Sequence, residues 1–210
     1  MGNTSKLRAV IFDFGGVLWD MRWDVARTLC EQHGLPRSSV FETLYKSDTW
    51  RDIERGIGDP AAWKARAHAD LETRAGRPLP ALHDEWRRSQ RPITANLELV
   101  ARLRPPYKVS VLSNADISLR GRLEGELRIR HLFDDVVSSA EVGMAKPEPE
   151  IFRLAAGRLG LDPAECVFVD DWDQNIEAAK AVGMTAIRYQ LDKGDDLAAL
   201  LAGAGVRPRA

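Results

Sequence analysis

The segment AVIFDFGG, residues 9–16, decides the fold, because it joins a short apolar run to a carboxylate and a pair of glycines. A bare carboxylate at the end of a buried strand is costly to the folded state unless a partner compensates its charge. Gly15 and Gly16, which follow Asp13 closely, let the backbone approach a ligand. The segment therefore predicts a buried strand that ends at a binding site.

A second apolar run, VFVDD at residues 167–171, also ends in carboxylates, Asp170 and Asp171. In open α/β sheets, ligands bind at the carboxyl ends of the strands, where the strand order reverses. Two such strand ends side by side would form an anionic pocket, and such a pocket suits a hard, oxygen-preferring cation. We therefore expect this chain to bind Mg²⁺ between the two strand ends.

Composition limits the possible functions. The chain has 210 residues, of which 44% are hydrophobic and 29% charged, and this fits one globular domain or a core with a small inserted subdomain. The net charge of −1 gives no broad electrostatic footprint for nucleic acid. Cys30 and Cys166 form no CxxC or Cys/His cluster, so neither a disulfide framework nor a zinc site is expected, and a reducing cytoplasm is the expected location.

The sequence also argues against a membrane protein. It contains no run of 18 apolar residues and no long apolar segment at the N-terminus, so we expect neither a membrane span nor secretion.

Two regions differ in their predicted secondary structure. From residue 93 onward, predicted strands alternate with predicted helices, which indicates right-handed βαβ units and a parallel sheet. Between residues 19 and 91 only helices are predicted, over residues 23–33, 38–46, 49–55, 60–75 and 79–88. The predicted fold class is thus α/β: a Rossmann-like, doubly wound parallel sheet with an all-helical cap inserted after the first strand. Residues 1–18 and 93–210 form the predicted core, and residues 19–92 the predicted cap.

Four motifs carry a resemblance to a known family. They are IFDFGGVL at residues 11–18, VLSN at 111–114, the lysine of GMAKPEPEIF at 143–152, and FVDD at 168–171. With these motifs in the same order, the chain resembles the haloacid dehalogenase (HAD) superfamily over nearly its whole length. The resemblance is to the phosphatase-like branch with a helical cap of the C1 type.

The resemblance implies a role for each motif. Asp13 would attack phosphorus and form an aspartyl-phosphate, which divides one difficult step into two easier ones. Ser113 and the backbone N–H of Asn114 would bind a phosphoryl oxygen, and Lys146 would neutralise the charge shared by Asp13 and the phosphoryl group. The alternatives are an aspartate that caps a turn, an ordinary strand-end turn at Ser113, and a solvated surface lysine.

The resemblance also implies a Mg²⁺ site. Its ligands would be Asp13, the carbonyl oxygen of Gly15 and Asp171, while Asp170 would bind the metal through water or orient Lys146. Asn175 would contact these ligands without binding the metal itself. The alternative is an acidic turn that starts a helix.

One position departs from the family. Most phosphatases of the superfamily carry a second aspartate where this chain has Gly15, and that aspartate protonates the leaving group and then activates water. General acid–base catalysis contributes about 10²–10⁴-fold in rate, so its loss favours leaving groups that depart easily, as in anomeric sugar, acyl and aryl phosphates. Asp20, Glu54 or another cap residue is a candidate replacement.

Aromatic and cationic residues are candidates for substrate contact. Trp19 and Trp172 are expected to flank the mouth of the pocket, and Trp50 lies in the predicted cap. These three tryptophans, with Gly15 and Gly16, are the predicted substrate-binding residues. Packing of the cap onto the core is the alternative for these tryptophans. Three cations of the cap are candidates to reach a polar substrate, and a solvated helix face is the alternative for each: Lys46, Arg51 and Arg55.

The predicted function is therefore Mg²⁺-dependent hydrolysis of a small phosphorylated metabolite through an aspartyl-phosphate. Two alternatives remain: a metal-independent hydrolase such as a 2-haloacid dehalogenase, and a weakly active or inactive binding or regulatory protein, which Gly15 favours. We expect no nucleic-acid or membrane partner, and either a monomer or a homodimer.

Overall fold

The computed structural model describes residues 7–209; residues 1–6 of the predicted core, and Ala210, lie outside the described residues. The strands in the described part are β1 (Ala9–Phe12), β2 (Trp19–Asp20), β3 (Arg91–Pro92), β4 (Lys108–Ser113), β5 (Asp135–Ser138), β6 (Cys166–Asp170) and β7 (Thr185–Arg188).

Five of the described helices follow one another between β2 and β3, and the others lie between or after the later strands. The helices are α1 (Trp23–Gln32), α2 (Ser39–Tyr45), α3 (Asp48–Ile53), α4 (Pro60–Ala75), α5 (Leu82–Ser89), α6 (Thr94–Leu103), α7 (Leu119–Gly121), α8 (Ser139–Val142), α9 (Pro149–Arg158), α10 (Asp173–Ala181) and α11 (Leu197–Gly203). A π-helical turn, Arg122–Glu126, continues α7, and single 3₁₀ turns occupy Arg130–Leu132, Pro163–Glu165 and Leu191–Lys193.

The main sheet is parallel, with strand order β5-β4-β1-β6-β7. All four residues of β1 are buried, as expected for a central strand with helices on both faces. The strand order reverses between β1 and β6, where Phe12 pairs with Val169. The predicted α/β class is confirmed, and the reversal lies at the ends of the two strands that carry the carboxylates.

Alternate residues of β1 build the two faces of the core. Val10 and Phe12 belong to a cluster with apolar residues of α6 and α11, whereas Ala9 and Ile11 belong to a cluster with residues of α9 and α10. Helices α1–α5 contribute most of a third cluster, which includes Trp50. The helical insertion thus has apolar packing of its own.

The prediction that no strand occurs between residues 19 and 91 is wrong. Trp19 pairs with Pro92, and Asp20 with Arg91, in a two-residue antiparallel ladder where the chain leaves the core and returns to it. Such a short ladder has no recognisable alternation, and Pro92 has no N–H to donate. Tertiary contact, not local propensity, produces it.

Two smaller predictions also differ from the structure. The helix predicted over residues 79–88 begins only at Leu82, because Ala81 adopts a tight turn with φ −73° and ψ 71° in which the N–H of Leu82 donates to the carbonyl oxygen of Pro80 at 2.7 Å. The short helix α8, directly after β5, was not predicted.

Candidate active site

The sheet brings three carboxylates together. Asp13 follows β1, and its backbone N–H donates to the carbonyl oxygen of Val169 at 2.8 Å, one residue before Asp170. Ligand atoms of Asp13, Asp170 and Asp171 all lie within 4.8 Å of one another. The predicted meeting of the two strand ends is therefore present in the structure.

Lys146 is buried between two of these carboxylates. Its Nζ lies 2.9 Å from Oδ1 of Asp13 and 2.6 Å from Oδ2 of Asp170. Asn114 fixes the lysine backbone: its Oδ1 accepts from Lys146 N–H at 2.8 Å, and its Nδ2 donates to Lys146 C=O at 2.9 Å. Lys146 is thus held at Asp13 by the side chain of Asn114, which follows β4, and by that of Asp170, which ends β6.

Asp170 and Asp171 differ in their hydrogen bonding. Asp170 accepts from the backbone N–H of Trp172 at 2.8 Å and from Nδ2 of Asn175 at 3.0 and 3.1 Å, in addition to Lys146. Oδ1 of Asp171, by contrast, is buried without a hydrogen-bond partner in the described part of the chain. Asp170 therefore orients its neighbours, and Asp171 offers an uncommitted oxygen.

The donor set fits a hard divalent cation. If all three carboxylates were ionised beside one ammonium, the cluster would carry a buried excess of negative charge, which a cation would compensate. Carboxylate oxygens such as the uncommitted Asp171 Oδ1 are ligands that Mg²⁺ prefers. The cluster can therefore hold a metal ion.

Burial shifts the protonation equilibria of this cluster. Desolvation raises the pKa of Asp13 to about 6, against the opposing charge of Lys146. Desolvation, with repulsion from Asp13 and Asp170, raises the pKa of Asp171 to about 8. Burial alone would lower the pKa of Lys146, but the two neighbouring carboxylates outweigh it and raise that pKa above its usual range. A bound cation favours the ionised carboxylates and so opposes the first two shifts.

The two glycines face different neighbours. Gly16 has a φ of +82°, and a Cβ there would lie 2.3 Å from Oδ2 of Asp171. A Cβ on Gly15 would lie 3.2 Å from Sδ of Met21, so the tip of a flexible side chain lies where a side chain at position 15 would begin. Gly16 therefore gives room to Asp171, whereas Gly15 gives room to Met21.

A cavity of about 550 Å³ opens over Asp13, Ser113 and Lys146. Aromatic residues form much of its wall: Trp23, Phe41, Tyr45, Trp50 and Trp172. Trp172 is 46% exposed at the mouth. Lys46 and Arg51 also line the cavity.

One wall of this cavity is an aromatic pair with a cation beside it. Trp172 stacks on Phe41 with ring centroids 6.0 Å apart. Nζ of Lys46 lies 5.4 Å from the centroid of the Trp172 ring and 5.7 Å from that of Phe41. This wall can contact both a flat apolar group and a negative charge.

The structure does not bring Trp19 into this cavity. Its ring stacks on Phe14 at 5.8 Å, and its Nε1 donates to Oε1 of Gln90 at 3.3 Å. It lines a smaller neighbouring cavity of about 130 Å³. Gly16 likewise lies outside the cavity of Asp13, on the other side of Asp171.

Two cap residues contact the core beside the site. Oε2 of Glu54 accepts from Nδ2 of Asn114 at 3.0 Å, and Arg55 forms an ion pair with Glu148. Met21, Phe41 and Glu148 were not singled out from the sequence. Phe41 and Tyr45 are one helical turn apart, which signals a shared face but not what that face meets.

Asp20, the other candidate acid, is committed elsewhere. Its Oδ1 accepts from the backbone N–H of Arg22 at 2.9 Å, and its Oδ2 from Nε of Arg91 at 3.2 Å. It lines a different cavity from Asp13.

None of the helices in residues 7–209 is long and apolar enough to cross a membrane.

Comparison with known proteins adds the following findings. A family model described as haloacid dehalogenase-like hydrolase matches residues 7–183. The glyceraldehyde 3-phosphate phosphatase of Methanopyrus kandleri is 29% identical over 204 residues, covering 91% of this chain and 87% of that protein. The fructose-1-phosphate phosphatase YqaB of Escherichia coli is 37% identical over 83 residues, which cover 40% of this chain and only 44% of that protein.

A solved structure shows the same fold. The HAD family enzyme BT-2542 of Bacteroides thetaiotaomicron, in complex with magnesium and inorganic phosphate, superposes with a TM-score of 0.71 at 24% identity. The match covers 92% of this chain and 98% of that one.

Proposed function

The chain belongs to the haloacid dehalogenase-like hydrolase family, and we propose that it is a Mg²⁺-dependent phosphatase of small phosphorylated metabolites that acts through an aspartyl-phosphate on Asp13. One observation carries this proposal: Asp13 shares a buried lysine with Asp170 and lies beside an uncommitted Asp171 oxygen at the reversal of strand order. A nucleophile, a fixed cation and a metal-binding carboxylate are what phosphoryl transfer requires.

Each residue then has a role in the reaction. A carboxylate oxygen of Asp13 attacks phosphorus, and the leaving oxygen departs. The Ser113 hydroxyl and the Asn114 backbone N–H bind phosphoryl oxygens, while Lys146 stabilises the charge that builds up on them. Water then attacks the aspartyl-phosphate and releases orthophosphate, which regenerates Asp13.

Asp13, the carbonyl oxygen of Gly15 and Asp171 would hold Mg²⁺, which would supply charge neutralisation at the phosphoryl group. Asp170 keeps Lys146 in place rather than binding the metal directly, because protein donors already occupy its oxygens. Asn175 orients Asp170 from behind.

Residues 19–92 would act as a cap that selects the substrate and excludes water from the site. Trp50 and Trp172 would contact the leaving group in the cavity, and Lys46 would attract a negative charge on it. The predicted contact of Trp19 with substrate remains a prediction, as do a cytoplasmic location and a monomeric or homodimeric state.

Phosphate release from aryl, acyl, anomeric-sugar and alkyl phosphates tests the proposal, with Mg²⁺ and with a chelator, beside Asp13→Asn. We expect Mg²⁺-dependent release that Asp13→Asn abolishes. Dehalogenation of a 2-haloacid that survives the chelator would instead support a metal-independent hydrolase. Binding of Mg²⁺ and phosphate with no turnover of any substrate would support a binding or regulatory protein.

A further inference from the structure

Glu54 is the acidic side chain that the cap brings to the cavity of Asp13. It follows helix α3, and its side chain is 13% exposed. Apart from Asp13 and Asp171, no other acidic residue among the described residues lines this cavity. Asp20, the other candidate from the sequence, lies outside it and is bound by two arginines.

Asn114 fixes Glu54 relative to the nucleophile. The Asn114 Nδ2 donates to Glu54 Oε2 at 3.0 Å and to the carbonyl oxygen of Lys146 at 2.9 Å. Nζ of the same lysine lies 2.9 Å from Asp13. One amide therefore connects the cap carboxyl to the residue that contacts Asp13, and Oε1 of Glu54 is left without a hydrogen bond from Asn114.

The charges around Glu54 do not hold it firmly as a carboxylate. Burial raises its pKa most, the charge of Arg55 lowers it, the charge of Glu148 raises it, and side-chain hydrogen bonds with Trp50 and Asn114 lower it; the net effect is a raised pKa. Arg55 Nη1 lies 4.0 Å from Glu54 Oε1, beyond hydrogen-bond distance, and Arg55 Nη2 is bound by Glu148. A carboxyl group whose pKa is raised toward neutrality is better matched to proton transfer than an exposed one.

We propose that Glu54 is the general acid–base of this enzyme and performs, from the cap, the role that Gly15 cannot perform. The proposal rests on the phosphatase function proposed above. Protonated Glu54 gives its proton to the leaving oxygen as Asp13 Oδ bonds to phosphorus and the phosphorus–oxygen bond to the leaving group breaks. This releases an alcohol and leaves Glu54 ionised.

The second step restores the starting state. Ionised Glu54 takes a proton from water as the water oxygen bonds to phosphorus and the bond from phosphorus to Asp13 breaks. Orthophosphate forms, Asp13 is free, and Glu54 carries its proton again. Because the acid belongs to the cap, both steps require the contact between Glu54 and Asn114 to be formed while substrate is bound.

The variant Glu54→Gln separates proton transfer from cap docking. Glutamine keeps an oxygen that accepts from Asn114 Nδ2 but supplies no acidic proton. Glu148→Gln is the control for cap docking, because it weakens another contact between cap and core, the ion pair with Arg55, and leaves the Glu54 carboxyl able to give a proton. Because the charge of Glu148 raises the pKa of Glu54, the limb of the pH profile that belongs to Glu54 should move to lower pH in this variant but should not disappear.

The readout is kcat/KM for a series of aryl and alkyl phosphates of rising leaving-group pKa, together with its pH profile. We expect Glu54→Gln to lose about 10²-fold or more on alkyl phosphates and little on the best aryl leaving group. The dependence of rate on leaving group should steepen, and one limb of the pH profile should disappear. Glu148→Gln should retain the wild-type slope.

The possible failures are distinguishable. No hydrolysis by the wild type, or hydrolysis that survives Asp13→Asn, would reject the phosphatase proposal. If the wild type is active but Glu54→Gln depends on the leaving group as the wild type does, only the role of Glu54 would be rejected. This holds whether the rates of the variant fall equally for all substrates or do not change.

Discussion

The carboxylate of Asp171 occupies the space that a side chain on Gly16 would require. A Cβ there would lie 2.3 Å from Oδ2 and 2.8 Å from Cγ of Asp171, and the φ of +82° is one that residues with side chains rarely adopt. The position of the Asp171 carboxylate and the glycine at position 16 therefore depend on each other.

Replacing Gly16 by alanine should displace Asp171. We expect Gly16→Ala to weaken Mg²⁺ binding and to reduce phosphate release at a fixed Mg²⁺ concentration, because the methyl group and the carboxylate cannot both keep their places. Titration calorimetry with Mg²⁺ measures the effect. Gly34→Ala is the control, since Gly34 has a φ of +73° and a Cβ added there would have nothing within 4 Å. This variant therefore introduces the same backbone strain without a clash. Equal Mg²⁺ affinity in the two variants would contradict this reasoning.

Removing the charge of Lys146 should destabilise the protein. Breaking a buried ion pair by removing one partner costs about 3–5 kcal/mol, because the remaining charge is left uncompensated. We expect Lys146→Met to show a loss of this order in urea unfolding without Mg²⁺, a smaller loss with Mg²⁺, and no detectable turnover.

Lys180→Met is the matched control, because Lys180 pairs with Glu177 on the exposed face of α10. Exposed pairs contribute about 0–1 kcal/mol, so this variant should unfold at nearly the wild-type urea concentration. Equal stability of the two variants would show that Lys146 is not what compensates Asp13 and Asp170.

His83 should make the protein less stable in mild acid. Burial lowers its pKa from 6.5 to about 4, and its Nε2 lies 3.0 Å from Oγ1 of Thr43. Because the unfolded chain binds the proton more readily, this contribution to stability is complete above pH 6.5 and is lost as the pH falls toward 4. The shift corresponds to about 3 kcal/mol.

Thermal unfolding of His83→Gln and of the wild type across that pH range measures this contribution. The difference between the two proteins isolates His83, because Asp13 and Asp171 titrate in both. We expect the wild type to lose more stability than the variant on acidification, and the exposed variant His131→Gln to follow the wild type. Parallel curves for His83→Gln and the wild type would contradict the prediction.

An aspartate at position 15 should substitute for Glu54. The nearest atom to a Cβ on Gly15 belongs to the flexible end of Met21, so a side chain can enter if that end moves by a few tenths of an ångström. In the Glu54→Gln background we expect Gly15→Asp to restore hydrolysis of alkyl phosphates by about 10-fold or more. Gly15→Asn in the same background is the isosteric control and should restore nothing.

The strands of the main sheet and most helices could be predicted from the sequence because their signals are local. Buried runs such as residues 9–12 and 166–169 are continuously apolar, and glycines and prolines separate the cap helices. The ladder of Trp19–Asp20 with Arg91–Pro92 could not be predicted, because two residues carry no periodicity and the pairing spans about seventy residues of chain.

The residues of the candidate site could be predicted to a similar extent as the fold. Asp13, Lys146 and Asp171 stand in motifs of the core, so their meeting follows from strand order. Which cap residues face them depends on how the helices pack, and a single sequence does not contain that information. Glu54 and Asp20 were equal candidates on sequence alone; hydrogen bonds and cavity lining separate them.

The ladder between β2 and β3 also bears on how this architecture can change. It pairs the segment that leaves the core with the segment that returns to it. The two ends of the inserted segment therefore stay adjacent whatever its length or sequence. Closing a longer loop between fixed ends costs only about 0.6 kcal/mol for each doubling of its length. Substitutions, insertions or exchange of the intervening helices can therefore change the cavity wall, while the register of β1 and β6 stays the same.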